Sequence, residues 1–122
     1  MEIRKGTARE LDELAALYNA VCDALAAGVN YPGWRRGTYP TREDAERGVA
    51  AGELYVAVEQ GAIVGTMILR QGQEPGYRTA RWGRELTDGE VLTVYTFAVH
   101  PGYAGKGVGA AMLAFAERLA AA

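Results

Sequence analysis

Between His100-Pro101 and the apolar run that begins at Ala110, the chain reads Gly102-Tyr103-Ala104-Gly105-Lys106-Gly107-Val108-Gly109. Gly105, Gly107 and Gly109 remove Cβ atoms where a strand turns into a helix, so backbone amides can approach an anion closely. The helix that follows adds N–H groups without intrahelical acceptors and the positive end of its dipole. These are the requirements for cradling a phosphate, and Lys106 can add charge at the rim. A turn that only packs a helix on a strand needs fewer glycines. Two nucleotide motifs compete for the loop. Gly102 and Gly107 have the Walker A spacing, but Val108 and Gly109 stand where that motif needs its Lys and Ser or Thr. Gly105-x-Gly107-x-x-Ala110 matches a dinucleotide fingerprint, which should follow its strand at once and precede a second strand with an acidic residue about 20 positions on. Here five residues intervene and 12 follow Ala110. The dinucleotide reading is the poorer one.

The elements that must position this loop follow from periodicity. Met1–Lys5 alternates as a first strand. Thr7 and Glu10 form a capping box before Ala8–Ala27, where Leu11, Leu14, Tyr18, Val21, Cys22 and Leu25 share one helical face. Gly28 stops that helix. Residues 30–40 (NYPGWRRGTYP) are a loop rich in turn formers and aromatics. Thr41 with Asp44 opens a shorter helix that ends near Gly52. Leu54–Glu59 and Ile63–Leu69 flank Gln60-Gly61 as a hairpin. Residues 71–89 read as a long connection. Glu90–Val99 (EVLTVYTFAV) is β-branched and aromatic, as in a central strand covered on both faces. His100-Pro101 ends it as a turn, and Ala110–Ala122 is the last amphipathic helix. The order β-α-α-β-β-β-α, without repeats or linkers, is one mixed α/β or α+β domain over residues 1–122.

Composition narrows the function. The chain of 122 residues is 49% hydrophobic and 23% charged, which is enough for one core and ordinary for a globular protein. It has no serine, one cysteine and one histidine, which excludes serine hydrolases, disulfide scaffolds and Cys/His zinc sites. No metal site is expected. A formal charge of −2 without a dense basic run argues against nucleic-acid binding. No apolar stretch approaches a membrane span, and Met1–Glu10 lacks the apolar core of a signal peptide. A cytoplasmic small-molecule protein is expected, with Cys22 buried on its helix stripe and inert.

The segment AVHPGYAGKGVGAAML resembles the acetyl-coenzyme A signature of the GNAT superfamily of N-acetyltransferases. The family pattern Gln/Arg-x-x-Gly-x-Gly/Ala falls on Ala104-x-x-Gly107-x-Gly109, with Ala104 standing where the family usually has Gln or Arg. The element order is also that of the family. The resemblance implies a GNAT-like acyl-CoA N-acyltransferase fold and acetyl-CoA as co-substrate. It implies that Ala104, Gly105, Lys106, Gly107, Val108 and Gly109 hold the pyrophosphate through main-chain N–H groups. It also implies that Phe97, Ala98 and Val99 pair their backbone with the pantetheine arm, placing the thioester near the middle of the strand. Ala104 should weaken binding rather than abolish it, because backbone amides do most of the work.

On this resemblance, direct transfer to a primary amine of a small molecule or peptide needs a group to take the ammonium proton and a grip on the thioester carbonyl. Glu90 is the expected general base, with a solvated strand-edge carboxylate as the other reading. Strict alternation puts Glu90 and Phe97 on opposite faces unless a bulge intervenes. Tyr95 is either a catalytic cleft wall or core. The family builds its acceptor side from the segment joining the first helices, here with Tyr31, Trp34 and Tyr39. Its rings suit an apolar or cationic acceptor, and Arg35 and Arg36 an acidic one. The family fold continues with further strands and a helix, so the domain is expected to be incomplete at its C-terminus. The bare edge of Glu90–Val99 would then be covered by another segment or by a second copy, as in a homodimer. The alternative function is a non-catalytic acyl-CoA-binding or interaction domain of the same fold.

Overall fold

The computed structural model describes residues 1–27, 34, 36–37, 39–71 and 92–121. Four strands, β1 (Glu2–Lys5), β2 (Leu54–Glu59), β3 (Ala62–Gln71) and β4 (Leu92–Val99), form one antiparallel sheet in the order β1-β2-β3-β4. Helices α1 (Leu11–Ala26) and α2 (Arg42–Ala50) cover one face, and α3 (Val108–Ala121) covers the other. The mixed α/β class and the element order expected from the sequence are those observed.

Local chemistry explains the boundaries. The Thr7 amide donates to the Glu10 carboxylate at 3.0 Å, and the Thr41 amide donates to Asp44 at 2.7 Å, closing both capping boxes. The first box caps a 3-10 turn, Ala8–Glu10, that runs directly into α1. Gln60 (φ 50°) and Gly61 (φ 80°) are both left-handed, as the tight β2–β3 hairpin turn requires. Helix α3 begins at Val108, two residues before the expected start. Gly107 takes φ 85°, and its carbonyl accepts the Ala111 amide at 3.0 Å, so the helix forms at once.

Two apolar layers hold the sheet. Leu14, Leu17, Tyr18 and Val21 of α1 pack with Ala45, Leu54, Val56, Ile68 and Ala98. On the opposite face Val108, Met112 and Ala116 of α3 pack with Ala57, Val64, Met67 and Leu69. The glycine at position 65 belongs to this second layer, since a Cβ there would stand 2.6 Å from the Met112 sulfur. Strand β4 is covered on both faces, as its composition predicts. In the sheet, however, it is the outer of the described strands rather than a central one. Cover on both faces requires only a helical layer above and below, and that is compatible with an outer position.

Arg4 grips Glu10 through a pair of hydrogen bonds at 2.9 and 2.7 Å, and this guanidinium holds the Glu10 carboxyl below the usual carboxylate range. A lowered carboxylate contributes stability above its unfolded pKa and loses it as pH falls through the folded value. Glu10→Gln should therefore cost up to about 1 kcal/mol near neutrality, with the difference vanishing in acid, as urea titrations at stepped pH will measure. Tyr18 is the opposite case. Its side chain is fully buried, its hydroxyl has no hydrogen-bond partner among the described residues, and burial pushes its pKa far up. Tyr18→Phe removes an uncompensated polar group and should leave stability unchanged or raise it by about 1 kcal/mol in thermal unfolding.

Candidate active site

Strand β4 interrupts its own alternation. Val99, Ala98, Tyr95 and Val94 pair with Gly65, Thr66, Ile68 and Leu69, which leaves Thr96 and Phe97 together opposite Met67. That is a β-bulge, and its first residue, Thr96, takes φ 50°. A β-branched residue in the left-handed region is strained and persists only where its surroundings hold it. Here the Thr96 hydroxyl stands 2.6 Å from the Tyr39 hydroxyl, which comes from the segment between α1 and α2. The bulge turns Tyr95 and Ala98 toward the α1 layer and Phe97 and Val99 toward the α3 layer.

A cavity of about 570 Å³ opens beside this strand. One wall is β4 itself, from Val94 to Val99, with the bulge at its middle. The other consists of Val21 and Leu25 near the end of α1, with Trp34 and Tyr39 beyond it. The Trp34 and Tyr39 rings meet edge to face, with centroids 6.0 Å apart at 87°. Tyr95 lines the cavity, packs on the α1 core, and carries the Arg70 guanidinium 4.8 Å from its ring centre.

Beyond β4 the glycine loop spends two of the amides expected to face a phosphate, those of Ala104 and Lys106, on its own carbonyls. The His100 Nδ1 accepts the Gly102 amide at 3.0 Å, so this histidine is a turn cap. The amides of Tyr103, Ala104 and Lys106 donate to the carbonyls of His100, Pro101 and Tyr103 at 2.9, 3.3 and 3.2 Å. From Gly107 onward the amides enter the first turn of α3, where N–H groups lack intrahelical acceptors. Gly105 (φ 76°) and Gly107 (φ 85°) are left-handed, and a Cβ on either would meet no protein atom within 4 Å. Glycine is therefore needed there for backbone conformation, beside open space, and not for packing. At Gly109 a Cβ would make ordinary contact with Phe97, at 3.6 Å. Ala104 and Lys106 are exposed, with the Lys106 ammonium 5.6 Å from the Tyr103 ring centre, and Val108, the first residue of α3, is buried.

The structure thus brings together Trp34, Tyr39, Tyr95, Phe97, Ala98 and Val99 at the cavity, with Ala104–Gly109 at the end of the same strand. Glu90, Tyr31 and Arg35 lie outside the described residues. Arg36 is largely exposed and faces Asp23 at 3.5 Å. Cys22 is buried, its thiol 3.9 Å from the Tyr39 carbonyl, and burial raises its pKa. Sequence reasoning missed Thr96, which carries no local signal because threonine is an ordinary strand residue. It read Val21 only as core, although that residue also forms cavity wall at the helix end. Among the described residues no helix is long and apolar enough to cross a membrane, and no cluster could hold a metal ion.

The fold is shared with solved structures. An acetyltransferase of the GNAT family from Streptococcus agalactiae superposes with a TM-score of 0.72 at 20% identity, over 93% of this chain and 66% of that one. A PaiA N-acetyltransferase from Thermoplasma acidophilum, solved with coenzyme A, gives 0.68 at 17% identity, over 98% and 70%. A GNAT family acetyltransferase from Brucella melitensis, solved with acetyl-CoA, gives 0.61 at 18% identity, over 98% and 67%. The chain thus spans about two thirds of the length of these structures. At such identities the likeness is one of fold. No curated protein matches. Residues 14–122 match the model of the acetyltransferase (GNAT) family, and the chain belongs to that family.

Proposed function

We propose that this protein binds acetyl-CoA along β4 beyond its bulge, at Phe97–Val99, and transfers its acetyl group directly to a primary amine of a small molecule or peptide. The observation that carries this reading is the continuity of one strand, outermost with β1 among the described strands, with a bulge at its middle and a glycine loop at its end. Among the described residues no strand lies on the outer side of Phe97–Val99, and the amides of a pantetheine arm can pair there. The bulge leaves backbone groups near Thr96 and Phe97 outside the ladder, so one N–H can donate to the thioester oxygen as charge develops there. The pyrophosphate then meets the amides of Gly105 and of Gly107, Val108 and Gly109, with the Lys106 side chain at the rim. Relatives of this fold solved with coenzyme A and with acetyl-CoA support the choice of ligand.

The acceptor amine would sit in the cavity, lose its proton to Glu90 or to a water held by it, and attack the carbonyl carbon. The C–N bond forms as the C–S bond breaks, and the coenzyme leaves as thiolate to be protonated. Tyr95 would wall the cleft. A cytoplasmic location fits a reaction that consumes acetyl-CoA, and a second copy could cover the β4 edge. Ala104, in place of the family's Gln or Arg, favours a second reading in which the domain binds acyl-CoA without transfer. Coenzyme release across a panel of primary amines tests the proposal. Amine-dependent thiol release is expected, whereas saturable acetyl-CoA binding without release on any amine would establish the second reading.

A further inference from the structure

Thr96 holds a backbone conformation that its residue type resists. It opens the β4 bulge at φ 50°, where a bulge with a left-handed first residue ordinarily carries glycine. A branched side chain there is strained, and such strain is kept only where neighbours over-determine it. Thr96 is 8% exposed, and its hydroxyl lies 2.6 Å from that of Tyr39. A threonine side chain has few rotamers, so a bond to its hydroxyl bears directly on the backbone that carries it. Tyr39 is itself a fixed point. Its ring meets Trp34 edge to face, Pro40 beside it is fully buried, and the next residue, Thr41, caps α2. The middle of β4 is thereby tied to the start of α2 through two hydroxyls.

We infer that Tyr39 is a positioning residue for the acetyl thioester: through the Thr96 hydroxyl it fixes the β4 bulge, and with it the backbone N–H that meets the thioester oxygen. This role rests on the proposed acetyl-CoA site for where the thioester lies. A donor helps only at hydrogen-bond distance from the oxygen on which charge develops, and small displacements cost much of its effect. With the tie cut, Thr96 relieves its strain by moving toward extended backbone, which turns the amides of the bulge. The glycine loop lies beyond the end of the strand, so its grip on the coenzyme should persist. The loss therefore falls on the thioester and not on coenzyme binding.

The test compares wild type with Tyr39→Phe, Thr96→Val, and Tyr39→Phe combined with Thr96→Gly, all in the full chain. Tyr39→Phe keeps the ring in the cavity wall and removes only the tie. Thr96→Val keeps the branched shape and serves if Tyr39→Phe fails to fold. Difference infrared spectroscopy of acetyl-CoA isotope-labelled at its carbonyl reads the hydrogen bond to the thioester oxygen without turnover, and thiol release with primary amines reads kcat and KM. The wild-type carbonyl band should lie below that of free acetyl-CoA. Tyr39→Phe and Thr96→Val should return it toward the free position and lower kcat by about tenfold, with the KM for acetyl-CoA within about threefold of wild type. Adding Thr96→Gly to Tyr39→Phe should recover most of both losses, because glycine takes a left-handed φ without a tie. If Tyr39 acted only by packing, the losses would be the same with Thr96→Gly as without it. A band that shifts in wild type and returns in Tyr39→Phe, with no thiol release on any amine, would uphold the tie and overturn the transfer reading. A wild-type band at the free position, equal bands in wild type and the folded single variants, or no recovery with Thr96→Gly would overturn the inference.

Discussion

Gly107→Val should abolish measurable acetyl-CoA binding, weakening it by at least about a hundredfold, and should also lower the stability of the fold. Gly107 stands at φ 85° and caps α3 by accepting the Ala111 amide. A branched residue forced into the left-handed region costs about 1–2 kcal/mol, and rebuilding the turn to escape that cost moves the amides that follow it. Those amides, at the start of α3, are the ones proposed to meet the pyrophosphate. Stability and binding should therefore fall together, binding by much more. Calorimetry with acetyl-CoA, beside a thermal scan that shows the variant still folded, reads both. If the loop were only a packing turn, the thermal midpoint would drop and binding would be untouched.

The largest expected effect on stability comes from Leu14→Ala. Leu14 is fully buried in the layer where α1 meets the sheet and packs with the cluster that contains Leu54, Val56 and Ala98. Truncation removes apolar contact and leaves a cavity, for a cost of about 2–5 kcal/mol. Domains of this size have about 5–15 kcal/mol in total, so the variant should sit close to its unfolding threshold. The loss should appear as a lower urea midpoint with an unchanged slope. The affinity of the fraction that remains folded should stay the same, because Leu14 lines neither the loop nor the cavity. A cost under about 0.5 kcal/mol would contradict the packing described for α1.

How much of this was legible without coordinates depends on how local each signal is. The helix stripe of Leu14, Tyr18 and Val21, the two capping boxes and the hairpin at Gln60-Gly61 are written within a few residues of one another, and each appears where its spacing places it. The GNAT family was legible for the same reason, since its glycine loop is a contiguous run. Boundaries that turn on one dihedral were not. Helix α3 starts at Val108 because Gly107 is left-handed, and an apolar pattern cannot report that angle. The placement of β4 at the outside of the described sheet depends on which strands pair, and its composition reports only that both faces are covered. The bulge is the clearest case. Strict alternation raised it as a condition, but Thr96 is a common strand residue. What holds it in an uncommon conformation is Tyr39, 57 positions away. Contacts that distant leave no mark on either neighbourhood. The cavity is of the same kind, since Val21 and Leu25 read as an apolar stripe whether they meet core or ligand.

The proposed acyl-CoA site is formed by β4 beyond its bulge and the loop that leads into α3. Isothermal titration of the folded chain with acetyl-CoA, repeated with Gly107→Val, tests it most directly. Saturable binding of one acetyl-CoA per chain, lost in the folded variant, is the predicted result. Absence of binding by the folded wild-type chain, or equal binding by the variant, would contradict it.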